Sequence, residues 1–348
     1  MARMFNVSSS PHIRDVTDIK TIMYSVVIAL MPALLGAVYF FGIAALWVVA
    51  VCVVSCLATE AIIERLMGKP LTITDGSAIV TGILLAFNLP SNIPWWISVV
   101  GSAFAIGVGK MTFGGLGYNL MNPALLARVF LLVSWPVSLT TWPVPRGMGV
   151  DAVTAATPLA VMKANTAILA DRASYSIDEV NQALASVNNL KDSYAQMFFG
   201  QTGGCLGETS ELLLLIGAAF LLYKRFIGLQ IPVSYLATIG VLAWIFGGYE
   251  GLFTGPWLFH LLSGGVVLGA FFMATDMVTS PLTVRGGLIF GVGAGIICTV
   301  IRLWGGYPEG CSFSIILMNL ATPLIDRYTR PKVFGRVLNP SKLMAGAR

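Results

Sequence analysis

The first long apolar run of the chain covers residues 21–41 and reads TIMYSVVIALMPALLGAVYFF. Such a run is typical of a helix that crosses a lipid bilayer, because the hydrocarbon core needs about 20 consecutive apolar residues. The pattern predicts an all-α polytopic membrane protein with about ten transmembrane helices. The nine further apolar runs lie near residues 43–63, 77–89, 94–109, 119–136, 209–223, 229–246, 257–274, 286–304 and 311–326.

The composition excludes an ordinary soluble domain. Of the residues, 56% are hydrophobic and only 11% are charged, and the mean hydropathy is +0.82. The net charge of +5 raises the question of a nucleic-acid partner. The basic residues lie at the chain ends and in short loops between apolar runs, without forming a patch, so we expect no nucleic acid. The expected surrounding is the lipid bilayer.

The apolar runs divide the chain into five parts. We predict a cytoplasmic N-terminal segment, a first membrane repeat, an outer loop, a second membrane repeat and a basic cytoplasmic tail. Lys and Arg cluster at both ends and in alternate short loops, which indicates that both termini face the cytoplasm. Five crossings then place the loop on the outer, periplasmic side. The bounds are 1–20, 21–136, 137–208, 209–326 and 327–348.

The two halves of the chain resemble one another. Four short matches recur at similar spacing in both halves, and five crossings separate equivalent points, so the second copy would be inverted. An inverted repeat of two five-helix bundles places the functional cavity near the middle of the membrane, between the halves. The matches are Gly82 with Gly269, Pro94 with Pro281, 114–115 with 305–306, and 121–122 with 318–319.

The outer loop includes the stretch Asp151-Ala152-Val153-Thr154-Ala155-Ala156-Thr157-Pro158-Leu159. Thr157 followed by Pro158 is an ordinary helix start, with Thr at the N-cap and Pro at the first helical position. The alternative is functional. A hydroxyl group in a turn of small residues, six positions after a carboxylate, could be the acceptor that a modifying enzyme recognises.

Polar side chains at the borders of the apolar runs are further candidates. Asn119 and Asn122 lie three positions apart before Pro123, where their amides could bind the edge of a heteroaromatic ring or satisfy backbone groups at a helix break. Glu208 and Asp276 are carboxylates at the ends of predicted spans. An unpaired buried carboxylate is costly, so both are candidate contacts on an ion or proton path.

Five motifs together resemble a known family, which includes the D subunit of the Rnf complex and the B subunit of the sodium-pumping NADH:quinone oxidoreductase. The Rnf complex is an electron-transfer chain between ferredoxin and NAD that pumps ions. The likeness covers nearly the whole chain. The motifs are Gly-Gly-Leu-Gly with Asn-Pro-Ala in 114–124, Gly-Glu-Thr-Ser at 207–210, Phe-Met-Ala-Thr-Asp at 272–276, Gly-Gly-Tyr-Pro-Glu-Gly at 305–310, and Pro-Leu-Ile-Asp with Tyr-Thr-Arg-Pro in 323–331.

The resemblance implies two flavins. FMN would be joined through its phosphate to Thr157 by a dedicated flavin transferase, with Asp151 and Thr154 as recognition residues. The sequence departs from the family pattern at Ala152, where Gly is usual, and at Ala155, which is often Gly or Ser. Riboflavin would lie near Asn119 and Asn122.

The resemblance also implies a fold and partners. The expected fold is similar to that of urea and ammonium channels, which agrees with the inverted repeat. The expected partners are the other membrane and peripheral subunits of an Rnf-type complex in a bacterial inner membrane, including a second outward-facing flavin subunit. Electrons would pass through the flavins of this subunit, and Na⁺ or H⁺ would be moved. The rival hypothesis is a channel or solute transporter with the same architecture and no redox cofactor.

Overall fold

A computed structural model describes residues 17–145, 154–208 and 210–331 as a bundle of helices with one two-stranded ribbon. The first half of the bundle contains α1 Ile19–Phe41, α2 Ile43–Leu66, α3 Ser77–Phe87, α4 Trp95–Ile106, α5 Pro123–Ser134 and the short α6 Pro136–Thr140. The second half contains α10 Glu211–Tyr223, α11 Gln230–Phe246, α12 Trp257–Leu262, α13 Val266–Leu268, α14 Val284–Trp304 and α15 Cys311–Thr329.

The connector between the halves is folded. It contains β1 Trp142–Pro143, β2 Thr154–Ala155, α7 Pro158–Ala170, α8 Ile177–Asp192 and α9 Tyr194–Phe199. The two strands pair antiparallel, with Trp142 opposite Ala155. Helices α7, α8 and α9 bury a small apolar core that includes Leu159, Met162 and Val187 and is shared with Phe259 of α12. The connector is therefore a small structured layer on one end of the bundle.

Three of the described helices are long and apolar enough to cross a membrane by themselves: α1, α2 and α14. The other apolar helices of the two halves are shorter or interrupted. The apolar run predicted near 119–136 becomes helical only at Pro123, because Asn122 caps the helix and Pro123 takes its first position. The run near 257–274 is broken at 263–265, between α12 and α13. The bundle therefore combines full-length helices with short and broken ones.

Two helices, one in each half, continue into wider π-helical turns. Helix α4 continues as Gly107–Met111, and α13 continues as Gly269–Met273. Such turns are uncommon and are frequent at functional sites. Both π turns precede the loops that carry candidate site residues, Asn119 after the first and Asp276 after the second.

The loops of the bundle gather at two ends, which we call the terminal end and the connector end. The terminal end contains the start of α1, because Ile22 and Met23 line a cleft together with Asn119 and Asp276. The connector end contains the loops after α3, before α10 and before α15. There the Leu206 amide donates to the Leu89 carbonyl oxygen at 3.1 Å.

The helix packing has a partial symmetry. Helix α2 packs on α4 and α4 on α5, while α11 packs on α14 and α14 on α15. Across the halves, α1 packs on α10 and α5 on α15. The sequence matches agree with this only in part, because Asn122 caps α5 whereas Asn319 lies in the middle of α15. These two residues contact each other instead: in the amide orientation of Asn319 that satisfies both of its polar atoms, its oxygen accepts from the Asn122 backbone N–H at 3.1 Å.

Candidate functional site

The predicted site residues fall into two groups, one at each end of the bundle. Thr157 and Glu208 line one small cavity at the connector end, which we call the connector cavity. Asn119, Asn122 and Asp276 line a cleft at the terminal end, which we call the terminal cleft. The backbone of Thr154 lies in β2, and Asp151 lies outside the described residues.

Thr157 is the N-cap of α7, as the Thr-Pro pattern predicts. Its Oγ1 accepts a hydrogen bond from the Ala160 backbone N–H at 3.2 Å. The residue is only 4% exposed. The cap accounts for a threonine here without any cofactor, but it also holds the hydroxyl group at the wall of the connector cavity. An N-cap oxygen lies at the positive end of the helix dipole, where an attached anion is favoured.

A buried arginine lies at the connector end. Arg128 of α5 donates from Nη2 to Glu309 Oε2 at 3.1 Å and to Cys205 Sγ at 3.7 Å. Its guanidinium also lies 5.9 Å from the Trp142 ring centre, under the strand that pairs with β2. The buried Nη1 of Arg128 has no partner among the described residues. This donor is therefore available to an anion next to the ribbon that leads to Thr157.

Glu208 joins this cluster. The Cys205 sulfur, a Glu208 carboxylate oxygen and a Glu309 carboxylate oxygen all lie within 4.8 Å of one another. Glu208 Oε2 accepts from the Cys205 backbone N–H at 3.4 Å. Burial, and after it the Glu309 carboxylate, raises the pKa of Glu208 to about 8. Two acids at the connector end thus share one cation.

The two asparagines of the terminal cleft have different environments. Asn122 uses its Oδ1 to accept from the Ala124 and Leu125 amides, at 3.0 and 3.4 Å, and its amide nitrogen donates to the Met273 carbonyl oxygen at 3.4 Å. It satisfies backbone groups at a helix break, which is one of the two roles that the sequence predicts. The buried Oδ1 of Asn119 has no partner among the described residues. Asn119 is therefore the amide with an acceptor to offer a ligand.

The terminal cleft has a cavity volume of about 110 Å³ and a mostly apolar lining, with a few polar groups in its wall. The lining is typical of small-molecule sites, but a flavin ring needs a wider cleft than this one, since such sites usually have volumes of about 300–1,000 Å³. Asp276 lies in that wall and accepts from the Thr279 hydroxyl at 3.1 Å, while burial raises the pKa of its carboxyl. Lys110 also lies in the wall, and its Nζ contacts Glu60 Oε1 at 2.5 Å and Ser77 Oγ at 2.6 Å.

Sequence reasoning missed several charged residues. Arg128, Glu309 and Glu60 are not among its candidates, and Lys110 serves there only as a loop cation that indicates orientation. Lys110 is 3% exposed and paired, so it is weak evidence for orientation. A single Arg inside an apolar run, as at Arg128, is a signal in the sequence, because such charges are rare without a partner. Its partner is 181 residues away, so the sequence gives no direct indication of Glu309.

Apolar helices of membrane-spanning length, with buried ion pairs at both ends of the bundle, define the class as a helical membrane protein. Residues 6–335 match the family described as NQR2, RnfD, RnfE. The chain belongs to this family.

Curated relatives are similar over almost the whole chain. The D subunit of the proton-translocating ferredoxin:NAD(+) oxidoreductase complex of Clostridium ljungdahlii is 47% identical over 332 residues, which are 95% of this chain and 96% of the relative. The D subunit of the Na(+)-translocating ferredoxin:NAD(+) oxidoreductase complex of Acetobacterium woodii is 50% identical, over 94% and 95%. The D subunit of the ion-translocating oxidoreductase complex of Stutzerimonas stutzeri is 42% identical, over 94% and 96%.

Proposed function

We propose that this chain is the membrane D subunit of an ion-translocating ferredoxin:NAD oxidoreductase complex and carries electrons through two flavins. Full-length similarity to subunits of such complexes supports the complex, and the position of the Thr157 hydroxyl at the connector cavity supports the first flavin. The chain would span a bacterial inner membrane several times, with both termini in the cytoplasm and the connector outside. The symmetric part of the helix packing supports two inverted five-helix repeats.

FMN attached through its phosphate to Thr157 would have its phosphate at a helix N-terminus and its ring outside the connector cavity, because that cavity has a volume of only about 10 Å³ and is lined by Glu208 and Glu309. The phosphate would lie at the N-terminus of α7, where backbone N–H groups and the helix dipole favour a negative charge. Arg128 has a buried Nη1 without a described partner, close to the ribbon that leads to Thr157. When bound, FMN supplies the electron-transfer chemistry, and the protein fixes its position and charge environment.

Loading of Thr157 requires the connector to open locally. The hydroxyl oxygen is capping α7 and the residue is 4% exposed, so a flavin transferase has no access to it in this conformation. The ribbon before it pairs over two residues in each strand, and so small a ribbon opens readily. We therefore infer that flavin transfer precedes the docking of this part of the connector.

Riboflavin in the terminal cleft is the second part of the proposal. Asn119 Oδ1 would accept from the ring, while Asn122 would shape the cleft by capping α5. Asp276 and Glu208 remain the candidate ion contacts, one in each site. A relative at 47% identity is named as proton-translocating, and one at 50% identity is named as Na(+)-translocating. Sequence similarity therefore does not indicate which ion is moved. Electrons would be exchanged with neighbouring subunits, including a second outward-facing flavin subunit.

A passive channel or solute transporter is the competing function. Among the described residues, the terminal cleft and the connector cavity share no lining residue. Apolar side chains such as Leu85, Phe87 and Leu268 are fully buried in the core of the bundle. Two separate sites favour fixed cofactors over one continuous pore.

The mass of the purified full-length chain tests the covalent flavin. The wild-type chain should carry the added mass of one FMN. Thr157→Asn should carry none, although Asn preserves the N-cap and hence the fold. Thr166→Ala, which loses a hydroxyl group on the same helix α7, is the matched control and should keep the adduct. A wild-type chain without added mass, or an adduct that persists in Thr157→Asn, refutes the assignment.

A further inference from the structure

The connector cavity contains more acidic than basic charge. Glu208, Glu309 and Cys205 meet within 4.8 Å, and Arg128 is the cation that contacts them. The side chain of Arg128 is 4% exposed and that of Glu309 is 20% exposed. If both carboxylates were ionised, the cluster would have a net charge of −1 in a largely buried position. An uncompensated buried charge costs several kcal/mol, so the cluster favours one bound proton.

The backbone holds the Glu208 carboxylate in place. A Cβ atom at Gly204 would lie 2.8 Å from Glu208 Oε2, and one at Gly265 would lie 3.2 Å from Oε1. The carboxylate therefore fits between two glycines, and no side chain of either residue separates it from Glu309. The close approach of the two glycines positions the Glu208 carboxylate at this end of the bundle.

The other charged groups nearby do not neutralise the cluster. Glu211 of α10 is buried near Glu208 and brings no positive charge to the cluster. Arg302 of α14 faces Glu211, but its two terminal nitrogens donate to the carbonyl oxygens of His260 and Ser263, at 2.6 and 2.9 Å. A metal ion is also disfavoured, because the Arg128 guanidinium already occupies the cation position beside Glu309. A bound proton neutralises one of the two carboxylates and needs no coordination site.

We propose that Glu208 and Glu309 share one proton and form a proton-exchange site at the connector end, which binds its proton more tightly when negative charge is added to the cavity. Uptake converts one carboxylate into a carboxylic acid, and the proton comes from the surrounding water through the partly exposed Glu309. The source of the added charge is an electron on the flavin at Thr157, and this part rests on the proposed function.

The proton should exchange near neutral pH. Burial and the Glu309 carboxylate raise the pKa of Glu208 to about 8, so the pair changes its protonation in the range where the complex would operate. Because Thr157 lines the same cavity as the pair, an electron on a flavin attached there would make the electrostatic potential at the pair more negative.

Infrared spectroscopy of the full-length chain tests the pair without the covalent flavin. In the Thr157→Asn background, the C=O band of a protonated carboxylic acid should disappear as the pH rises from about 6 to about 10. Glu208→Gln should remove this titration, and Glu309→Gln should move it to lower pH, because the Glu309 carboxylate is the second cause, after burial, of the raised pKa of Glu208. Glu211→Gln is the matched control and should keep it. A titration that persists in Glu208→Gln overturns the proposal.

The coupling to the flavin is a separate measurement. In the assembled wild-type complex, the midpoint potential of the covalent flavin should fall as the pH rises across about 7 to 9, and Glu208→Gln should make that dependence clearly weaker. An unchanged dependence overturns the coupling. A chain without a flavin adduct refutes the proposed function instead, and the infrared titration still decides whether the pair shares a proton.

Discussion

The two ends of the bundle both bury a cation among carboxylates, but they balance their charges differently. At the terminal end one acid is paired with a lysine, and the other two accept from neutral donors. Lys110 pairs with Glu60, the Thr72 backbone N–H and hydroxyl both donate to Glu64, and the Ser77 backbone N–H donates to Asp75 at 2.8 Å. At the connector end, Arg128 serves both Glu309 and Cys205, while Glu208 is added to the same cluster.

The difference indicates which end can respond to a change of charge. In the terminal cluster the acids other than Glu60 accept short hydrogen bonds from neutral backbone and hydroxyl donors, which hold them in place beside the cleft. In the connector cluster two carboxylates lie together, and one guanidinium nitrogen of Arg128 has no described partner. The connector cluster can therefore accept a proton at Glu208 or an anion at Arg128. If a redox group is attached to Thr157, it is attached at the end that can compensate its charge.

The largest effect should follow from breaking the fixed pair. Lys110→Met leaves Glu60, which is fully buried, without its cation. Removing one partner of a buried pair costs about 3–5 kcal/mol. We expect a clear fall in the thermal midpoint of the purified protein in detergent. Arg128→Met should cost less, because the side chain of Glu309 is 20% exposed and can be rehydrated.

Two further variants make this comparison specific. Lys110→Met combined with Glu60→Gln should recover much of the lost stability, because no unpaired charge then remains. Lys69→Met changes an exposed lysine at the same end and should have little effect. Equal midpoints for wild type and Lys110→Met would show that the pair contributes nothing.

The pH dependence of stability should differ between wild type and Glu208→Gln. The pKa of Glu208 in the folded protein is about 8, above the ordinary carboxyl value of about 4.3. The folded state therefore binds the proton more tightly, and wild-type stability falls as the pH rises from about 5 to 8 and is level above that. Gln at position 208 does not titrate. The thermal midpoint of Glu208→Gln should therefore increase relative to that of wild type over this pH range, and the difference should then stay constant.

An exposed glutamate, Glu179, is the control for the direction of this pH dependence. Glu179 accepts from the backbone and side chain of Ser176, and these bonds lower the pKa of its carboxyl. Its contribution is present above the ordinary carboxyl pKa and is lost only as the pH falls below it. Glu179→Gln should therefore show a constant difference from wild type between about pH 5 and 8. A difference that is also constant for Glu208→Gln would contradict the raised pKa.

Local sequence rules predicted the features that depend on neighbouring residues. Thr157-Pro158 and Asn122-Pro123 are both capped helix starts, because the cap and the following proline act within one turn. The apolar runs also correspond to helices of the bundle. Sequence rules do not bring together residues that are far apart, such as Arg128 with Glu309, because no local pattern encodes that contact. For the same reason the sequence did not show that Thr157 and Glu208 share a cavity.

The two asparagines of the terminal cleft should separate stability from ligand binding. Asn122→Ala removes the cap of α5 and should cost about 1 kcal/mol, seen as a lower thermal midpoint. Asn119→Ala removes an acceptor without a described partner, so stability should be unchanged while the flavin released by denaturation decreases. Loss of released flavin in Asn122→Ala at full stability would reverse these roles.

The smallest effect should come from Lys163, which attaches the connector to the bundle. Its Nζ donates to the carbonyl oxygens of Ile301, Gly305 and Tyr307, at 3.3, 2.5 and 3.0 Å, and so caps the C-terminal end of α14. A cation at a helix C-terminus contributes about 0.3–1 kcal/mol. Lys163→Met should therefore change the thermal midpoint slightly.

Hydrogen exchange locates this effect better than a melting curve. In Lys163→Met, the amides of α7 should exchange faster, because the connector opens more often, while those of α2 and α4 at the terminal cluster should be unchanged. Thr166→Ala, whose hydroxyl bonds within α7, should leave the docking of the connector intact. If opening of the connector limits access to Thr157, Lys163→Met should also be loaded with flavin faster than wild type. Slower loading would mean that the flavin transferase recognises the docked connector.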